Sequence, residues 1–144
     1  MDGAQQFPSF RQTVLDTTDA RALAEFYRKL LGFSYRPGDE PPPEGEPDEK
    51  GHDFLVLCDH SGSPRVAFQQ VEELRKATWP GGAVPQQLHL DMCVPTGADL
   101  AVQHRRALDL GATVLLDRSD DQEEPLWVYA DPAGHPFCIF VAGG

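Results

Sequence analysis

The sequence lacks the features of a membrane or secreted protein. It contains no apolar run near the roughly 18 residues that a membrane helix needs, and its first six residues have neither the basic nor the apolar region of a secretory signal. Cysteine is scarce: Cys58, Cys93 and Cys138 make an odd number, and each lies in an apolar strand-like run. Such thiols are typical of a reducing compartment and not of a disulfide framework. We therefore expect a cytoplasmic protein with no membrane partner.

Basic residues are also scarce. The 12 Lys and Arg residues stand against 23 Asp and Glu residues, so the formal net charge of the 144 residues is −11. This balance argues against a nucleic-acid partner, because phosphate would be repelled. The acidity favours solubility, and its alternative interpretation is attraction of a cationic small molecule. Part of the acidic excess lies in residues 37–50, which are so rich in Pro, Gly and acidic side chains that we expect a mobile loop.

Two parts of the chain follow the same pattern. The first begins at Gln12 and reaches a glycine at Gly32, and the second begins at His89 and reaches Gly111. The two starts are 77 residues apart and the two glycines 79 residues apart, so the copies match with a two-residue insertion. In each copy a strand-like run precedes an amphipathic helical stretch. The glycine then supplies the left-handed residue that commonly ends a helix.

Three further strand-like runs complete each copy and predict the order βαβββ twice. These runs lie at residues 33–36, 53–58 and 65–71 in the first copy, and at 113–116, 126–130 and 137–141 in the second. The length suffices to bury a core without disulfides. We therefore expect a single α+β domain over residues 1–144, with module one at 8–76, a linker at 77–86 and module two at 87–142.

Six short segments, in this order and spacing, carry a resemblance to a known family. They are Phe26-Tyr27, Leu31-Gly32-Phe33, Phe68-Gln69-Gln70-Val71, Pro85-Gln86-Gln87-Leu88-His89-Leu90-Asp91, Leu110-Gly111-Ala112 and Asp131-Pro132-Ala133-Gly134-His135-Pro136-Phe137-Cys138. With them the chain resembles the vicinal oxygen chelate (glyoxalase/bleomycin resistance/dioxygenase) superfamily, and within it the uncharacterised bacterial glyoxalase-like proteins. The resemblance implies two modules that curl into a half-open barrel around a central cavity, and pairing of chains as a homodimer. It does not fix a reaction, since the superfamily includes metal-dependent isomerases, epimerases, dioxygenases and thiol transferases beside drug-sequestering proteins.

The resemblance also implies that metal ligands come from the first and last strands of each module. The first-strand positions fall on Gln12 and His89, the last-strand position of module two on Cys138, and that of module one on Phe68 or Gln70. Imidazole and thiolate together suit zinc, but amides suit it poorly, and Cys138 stands where the metal enzymes carry glutamate. The sequence therefore predicts a degenerate site without a cofactor. The alternative is a divalent metal held by Gln12, His89 and Cys138.

The remaining candidates are polar and aromatic residues that we expect to face the cavity. Asp91 shares the strand parity of His89, so the candidate acids, bases or nucleophiles are His89, Asp91 and Cys138. Since a small-molecule pocket combines aromatic walls with a few polar groups, the predicted ligand-binding residues are Gln12, Gln70, His89, Trp127 and Tyr129.

Three functions remain open at this point. The favoured one is binding of a small molecule, with or without metal-independent catalysis on an unidentified substrate. The second is a metal-dependent lyase, isomerase or dioxygenase of the glyoxalase type. The third is non-catalytic sequestration of a cationic drug in an acidic groove.

Overall fold

The computed structural model describes residues 6–79 and 81–142, which form two similar halves. Module one contains β1 (Thr13–Thr17), α1 (Ala20–Leu31), β2 (Ser34–Tyr35), β3 (Phe54–Cys58) and β4 (Pro64–Gln70). Module two contains β5 (Leu90–Val94), α2 (Gly97–Leu110), β6 (Thr113–Arg118), β7 (Leu126–Ala130) and β8 (Pro136–Val141). A short 3-10 helix, Lys50–His52, precedes β3. The predicted α+β class and the order βαβββ twice are confirmed.

Each module is a four-stranded mixed sheet whose first strand lies at one edge. The strand orders are β1-β4-β3-β2 and β5-β8-β7-β6. In both sheets the first strand runs parallel to the last strand, while the other neighbours are antiparallel. The first and last strands of each module are therefore adjacent, and their side chains lie side by side.

The two helices end at the glycines that the sequence indicates. Asp19 caps α1 by accepting a hydrogen bond from Ala22 N at 3.1 Å, and α1 ends at Gly32, whose φ is 70°. The Thr96 hydroxyl caps α2 in the same way, and Gly111 ends it at a φ of 116°. A residue with a side chain would be strained at this left-handed conformation, which explains glycine at both positions.

The main core lies between the helices and one face of each sheet. It is built from the apolar stripe of α1, alternate residues of the strands, and a smaller contribution from α2: Leu15, Ala20, Leu23, Ala24, Phe26, Tyr27, Leu30, Tyr35, Leu55, Leu57, Val66, Phe68, Leu100, Ala107, Ala112, Tyr129, Phe137 and Ile139. In β5, Leu90, Met92 and Val94 pack against this core. Because side chains alternate along a strand, Asp91 and Cys93 lie on the opposite face of the sheet.

The two modules contact each other through their helices and turns. The Tyr27 hydroxyl donates a hydrogen bond to the Asp131 carboxylate at 2.6 Å, and both groups are buried. His135 Nε2 lies 2.6 Å from the carbonyl oxygen of Asp16, across the same boundary. From α2, Arg106 donates to the carbonyl of Lys29 at the end of α1. These bonds tie the modules into one body.

The expectation of a mobile loop at residues 37–50 is wrong. Asp39 is fully buried and accepts a hydrogen bond from Val56 N at 2.9 Å. Arg21 of α1 donates to the carbonyl oxygen of Asp39 at 2.7 Å and to both carboxylate oxygens of Asp48, at 2.8 and 2.9 Å. The acidic and proline-rich composition is thus compatible with order, because a charged side chain of the helix holds the segment at two points.

Within the described residues, neither α-helix is long and apolar enough to cross a membrane.

Candidate functional site

Three polar side chains meet on the face of the second sheet that points away from α2. Asp91 of β5 is paired directly with Cys138 of β8, and His89 precedes β5 with the same parity as Asp91. His89 Nε2 lies 3.1 Å from Asp91 Oδ1. One ligand atom from each of the three residues lies within 4.8 Å of the other two. We call His89, Asp91 and Cys138 the cluster.

The cluster is open to solvent on one side and closed on the other. The side chains of His89 and Asp91 are 42% and 56% exposed, whereas Cys138 is half-buried. Val128 of β7 pairs with Cys138 on the same face and is buried, so it forms an apolar wall beside the sulfur atom. A small molecule can therefore approach the two exposed residues while the sulfur stays at the base.

The surroundings of Cys138 keep its thiol protonated at neutral pH. Burial raises the pKa of Cys138 to about 11, and the charge of Asp91 and a hydrogen bond to it contribute in the same direction. In this protonated form the thiol is a weak nucleophile, because the thiolate is the reactive form.

The cluster has no counterpart in module one. The pair that corresponds to Asp91 and Cys138 is Val14 and Ala67, which are joined in the same parallel register between β1 and β4. Gln12 corresponds to His89, and its Oε1 atom is buried and has no hydrogen-bond partner among the described residues. The imidazole, carboxylate and thiol thus meet in module two, and apolar side chains stand at the corresponding strand pair of module one.

Gln70 was expected to face a cavity, but it does not lie on the sheet face that corresponds to the cluster. It pairs with Thr17 on the helix-facing side of the first sheet. Its Oε1 accepts a hydrogen bond from Ala20 N at 2.8 Å, and its Nε2 donates to the carbonyl oxygen of Thr18 at 2.7 Å. The amide therefore stabilises the start of α1. Phe68, the alternative last-strand position, is fully buried in the core on the same side.

Trp127 and Tyr129, the predicted aromatic wall, lie on the opposite side of the sheet from the cluster. Trp127 and Tyr129 pair with Ile139 and Phe137, which face the core, whereas Cys138 faces away from it. Trp127 stacks on His104 of α2 with ring centroids 3.8 Å apart, and the Tyr129 hydroxyl lies 2.8 Å from His104 Nδ1. These two aromatic residues join helix to sheet and do not border the cluster.

The sequence contained one signal for the cluster that the ligand assignment missed. Asp91 was expected as an acid or base but not as a metal ligand, although its spacing from His89 sets both side chains on one face of a strand. Its pairing with Cys138 depends on the register between β5 and β8. That register places the Asp91 carboxylate next to the thiol of Cys138, the last-strand residue of the site.

A separate cavity of about 250 Å³ lies between the modules. Its walls come from β1, from residues 74–77 and 85–88, and from the turn at residues 133–136. Leu88, which precedes His89 in the chain, lines this cavity, and so does Pro136, which precedes Phe137. None of the three cluster residues lines it.

Comparisons with known proteins agree with this architecture. The sequence model of the glyoxalase-like domain family matches residues 12–140, whereas no curated protein matches the chain significantly. Among solved structures, a glyoxalase/bleomycin resistance protein/dioxygenase family enzyme from Burkholderia phytofirmans PsJN is similar, with 18% identity, a TM-score of 0.65, and coverage of 90% of this chain and 95% of that one.

Two other solved structures are similar over nearly their whole length. The genomically encoded fosfomycin resistance protein FosX from Listeria monocytogenes has 12% identity and a TM-score of 0.66, with 95% of each chain covered. The hypothetical protein SA1046 from S. aureus has 18% identity and a TM-score of 0.63, with 96% of this chain and 100% of that chain covered. At these identities the likeness shows the shared fold and not a shared activity.

Proposed function

Because the chain belongs to the glyoxalase-like domain family, we propose that it is a small-molecule-binding protein whose centre is a divalent metal ion, zinc by the chemistry of its ligands, held by His89, Asp91 and Cys138. The observation that carries this proposal is the convergence of an imidazole, a carboxylate and a thiol within 4.8 Å on one open sheet face. The proposal departs from the metal-free interpretation of the sequence because Asp91 supplies the carboxylate that Gln12, His89 and Cys138 lacked.

The ligand types fit zinc better than they fit magnesium or calcium. Sulfur and imidazole nitrogen are soft or intermediate ligands, which zinc accepts and which the two harder ions avoid. A thiolate and a carboxylate together carry two negative charges, so they balance a divalent ion. Three protein ligands leave a position for the bound molecule, as is typical of a zinc site that does chemistry and not of a purely structural one.

The chain's own residues define how a ligand would meet this centre. His89 and Asp91 are the exposed members, so a ligand reaches them from solvent, while Val128 keeps the base of the site apolar. When bound, the ion would hold the Cys138 thiol in its deprotonated form and polarise an oxygen atom of the ligand.

A second candidate function follows from the hydrogen bonds within the cluster. Asp91 contacts both His89 and the Cys138 thiol, so the three groups satisfy one another without a metal. In this form His89 and Asp91 are the acid–base pair of a metal-independent binding protein or enzyme. Cys138 is then a protonated neighbour and not a nucleophile, since its pKa is about 11.

Zinc content separates the two candidates. The chain is purified, stripped with chelator, reloaded with zinc, and analysed by elemental analysis. We expect about one equivalent in the unaltered chain and large losses in His89→Ala, Asp91→Asn and Cys138→Ala, since each removes one of three ligands. Cys93→Ala is the matched control: Cys93 is an exposed thiol on the same face of β5, and its loss leaves the zinc content unchanged.

Cobalt gives a second readout that does not depend on any activity. With cobalt in place of zinc, a thiolate ligand produces a charge-transfer absorption that Cys138→Ala abolishes and Cys93→Ala preserves. An unaltered chain that takes up no zinc would instead favour the metal-independent candidate. Zinc retained by both His89→Ala and Cys138→Ala would refute the assignment of the ligands.

A further inference from the structure

We infer that the cavity between the two modules binds a small organic anion that has an apolar body and a hydrogen-bond donor. Its walls combine two basic side chains, a half-buried glutamine whose Oε1 has no hydrogen-bond partner among the described residues, and a set of apolar side chains. This site goes beyond the proposed metal centre, because none of the cluster residues lines it.

The positive charge of the cavity comes from Arg75 and Lys76. In a chain of net charge −11, these two basic side chains line one cavity beside a single acidic one. Within the described ranges neither makes an ion pair. Asp16 is the one acidic residue among those that line the cavity, and it is exposed.

Lys76 is exposed, but its aliphatic part lies against module two. A Cβ atom at Gly134 would lie 2.5 Å from Lys76 Cγ, so the aliphatic part of the lysine lies directly on this glycine. Gly134 has a φ of 97° and belongs to the turn before β8. The lysine therefore spans the boundary between the modules, and a glycine is required where it crosses.

A buried polar atom in the same wall lacks a partner. Gln86 lines the cavity, and its Oε1 is buried with no hydrogen bond among the described residues. A buried carbonyl oxygen without a donor is unfavourable, and a ligand that brings a hydroxyl or an N–H group removes that penalty.

The apolar part of the cavity fits an aliphatic group. Val14 and Leu88 are large apolar side chains that remain 40% and 43% exposed, and both line the cavity with Leu74 and Pro85. A volume of about 250 Å³ is just below the roughly 300 Å³ at which pockets for drug-sized ligands begin. A branched aliphatic acid with a hydroxyl group near its carboxylate matches the size, the charge and the donor.

Calorimetric titration with 2-hydroxy-4-methylpentanoate tests the inference. The titration is made in the presence of chelator, so that a metal at the cluster contributes nothing. We expect saturable binding that weakens as ionic strength rises, because one partner of the interaction is a charged carboxylate. Two comparison ligands isolate the groups: the corresponding amide lacks the charge, and 4-methylpentanoate lacks the hydroxyl. Each is expected to bind more weakly.

Variants then locate the site. The double variant Arg75→Gln and Lys76→Gln is expected to weaken binding of the acid by about tenfold while leaving that of the amide unchanged. Gln86→Leu should remove the preference for the hydroxy acid over 4-methylpentanoate. The charge-matched control is Lys29→Gln with Arg118→Gln, which removes two positive charges away from the cavity and leaves binding of the acid unaltered.

His89→Ala distinguishes this inference from the proposed metal centre, since it should abolish zinc binding but not binding of the acid. Two results would overturn the inference: absence of saturable binding of the acid to the unaltered chain, or equal affinity of the acid for the unaltered chain and the Arg75/Lys76 double variant.

Discussion

Helix α1 of module one buries six side chains, whereas helix α2 of module two, which is two residues longer, buries Leu100 and Ala107 alone. The sheets differ in the same direction. Residues 55–58 of β3 are all buried, but in β6 every residue is exposed or half-buried. Two copies of one architecture have thus come to differ in how much of the core each provides.

The two sheets also differ in the polarity of the face that points away from the helices. In module one the centre of this face is apolar, since Val56, Cys58 and Ala67 form a small buried cluster of their own, while Asp16 and Gln69 pair at its exposed end. In module two the same face carries His89, Asp91 and Cys138. A polar, half-exposed set of side chains costs folding free energy unless its groups are satisfied. Module one therefore buries more of the core, and module two carries the residues proposed to bind a metal.

The largest effect expected from this comparison comes from a matched pair of leucine deletions. Leu23 in α1 is 1% exposed and Leu108 in α2 is 40% exposed. We expect Leu23→Ala to lower the free energy of unfolding by about 3 kcal/mol, through lost burial and the cavity left behind. Leu108→Ala should lower it by less than about 1 kcal/mol. Urea unfolding measures both, and equal losses would contradict the division between the modules.

The next effect concerns the segment at residues 37–50. Arg21 is 16% exposed and makes two hydrogen bonds to Asp48 besides the one to the Asp39 carbonyl. In module two, the corresponding segment before β7 is held by local bonds, as where Asp121 accepts from Glu123 N and Glu124 N. Arg21→Met should therefore cost about 1–2 kcal/mol and make residues 37–50 susceptible to protease.

The control for that prediction is Arg65→Met. Arg65 also pairs with a carboxylate, that of Asp59, but it is 61% exposed, so the same substitution should cost about 0.5 kcal/mol or less. Hydrogen exchange would show protection lost within residues 37–50 for Arg21→Met alone. Unchanged protection there would show that the segment is held by its other contacts.

The fold could be predicted from the sequence because its signals are local. Gly32 and Gly111, which the pattern indicated as helix ends, are the residues at which α1 and α2 end. The repeat of that pattern at an offset of 77 to 79 residues then predicted the duplication. The loop at residues 37–50 was not predictable in this way, since Arg21 and Asp48, which hold it, are 27 residues apart.

The candidate site was predictable only in part, because parity tells which residues share a face but not which face a helix covers. Trp127 and Tyr129 do share a face, and that face packs against α2. Gln70 looked like a cavity residue because an amide in an apolar strand needs a partner. Its partners are the Ala20 amide and the Thr18 carbonyl at the start of α1, which no local pattern reveals.

The smallest expected effect concerns two aspartates in equivalent turns before the last strand of each module. Asp59 is satisfied by Ser61 and Ser63, which lower its pKa to about 2 from the ordinary value of 3.8. Burial raises the pKa of Asp131 above that value, although Tyr27 and two backbone N–H groups bond to the carboxylate.

The two shifts predict opposite dependences of stability on pH. Asp59 contributes stability that is present above pH 3.8 and is lost as pH falls toward about 2. For Asp131 the folded chain holds its proton more tightly than the unfolded chain, so stability is lost as pH rises from 3.8 through the raised pKa. The loss of stability caused by Asp59→Asn, relative to the unaltered chain, should therefore be largest at neutral pH. Asp131→Asn should improve relative to the unaltered chain as pH rises. Urea midpoints of the three chains between about pH 3 and pH 7 measure this. If the difference in midpoint from the unaltered chain changes with pH in the same direction for both variants, the two turns do not hold their aspartates in different environments.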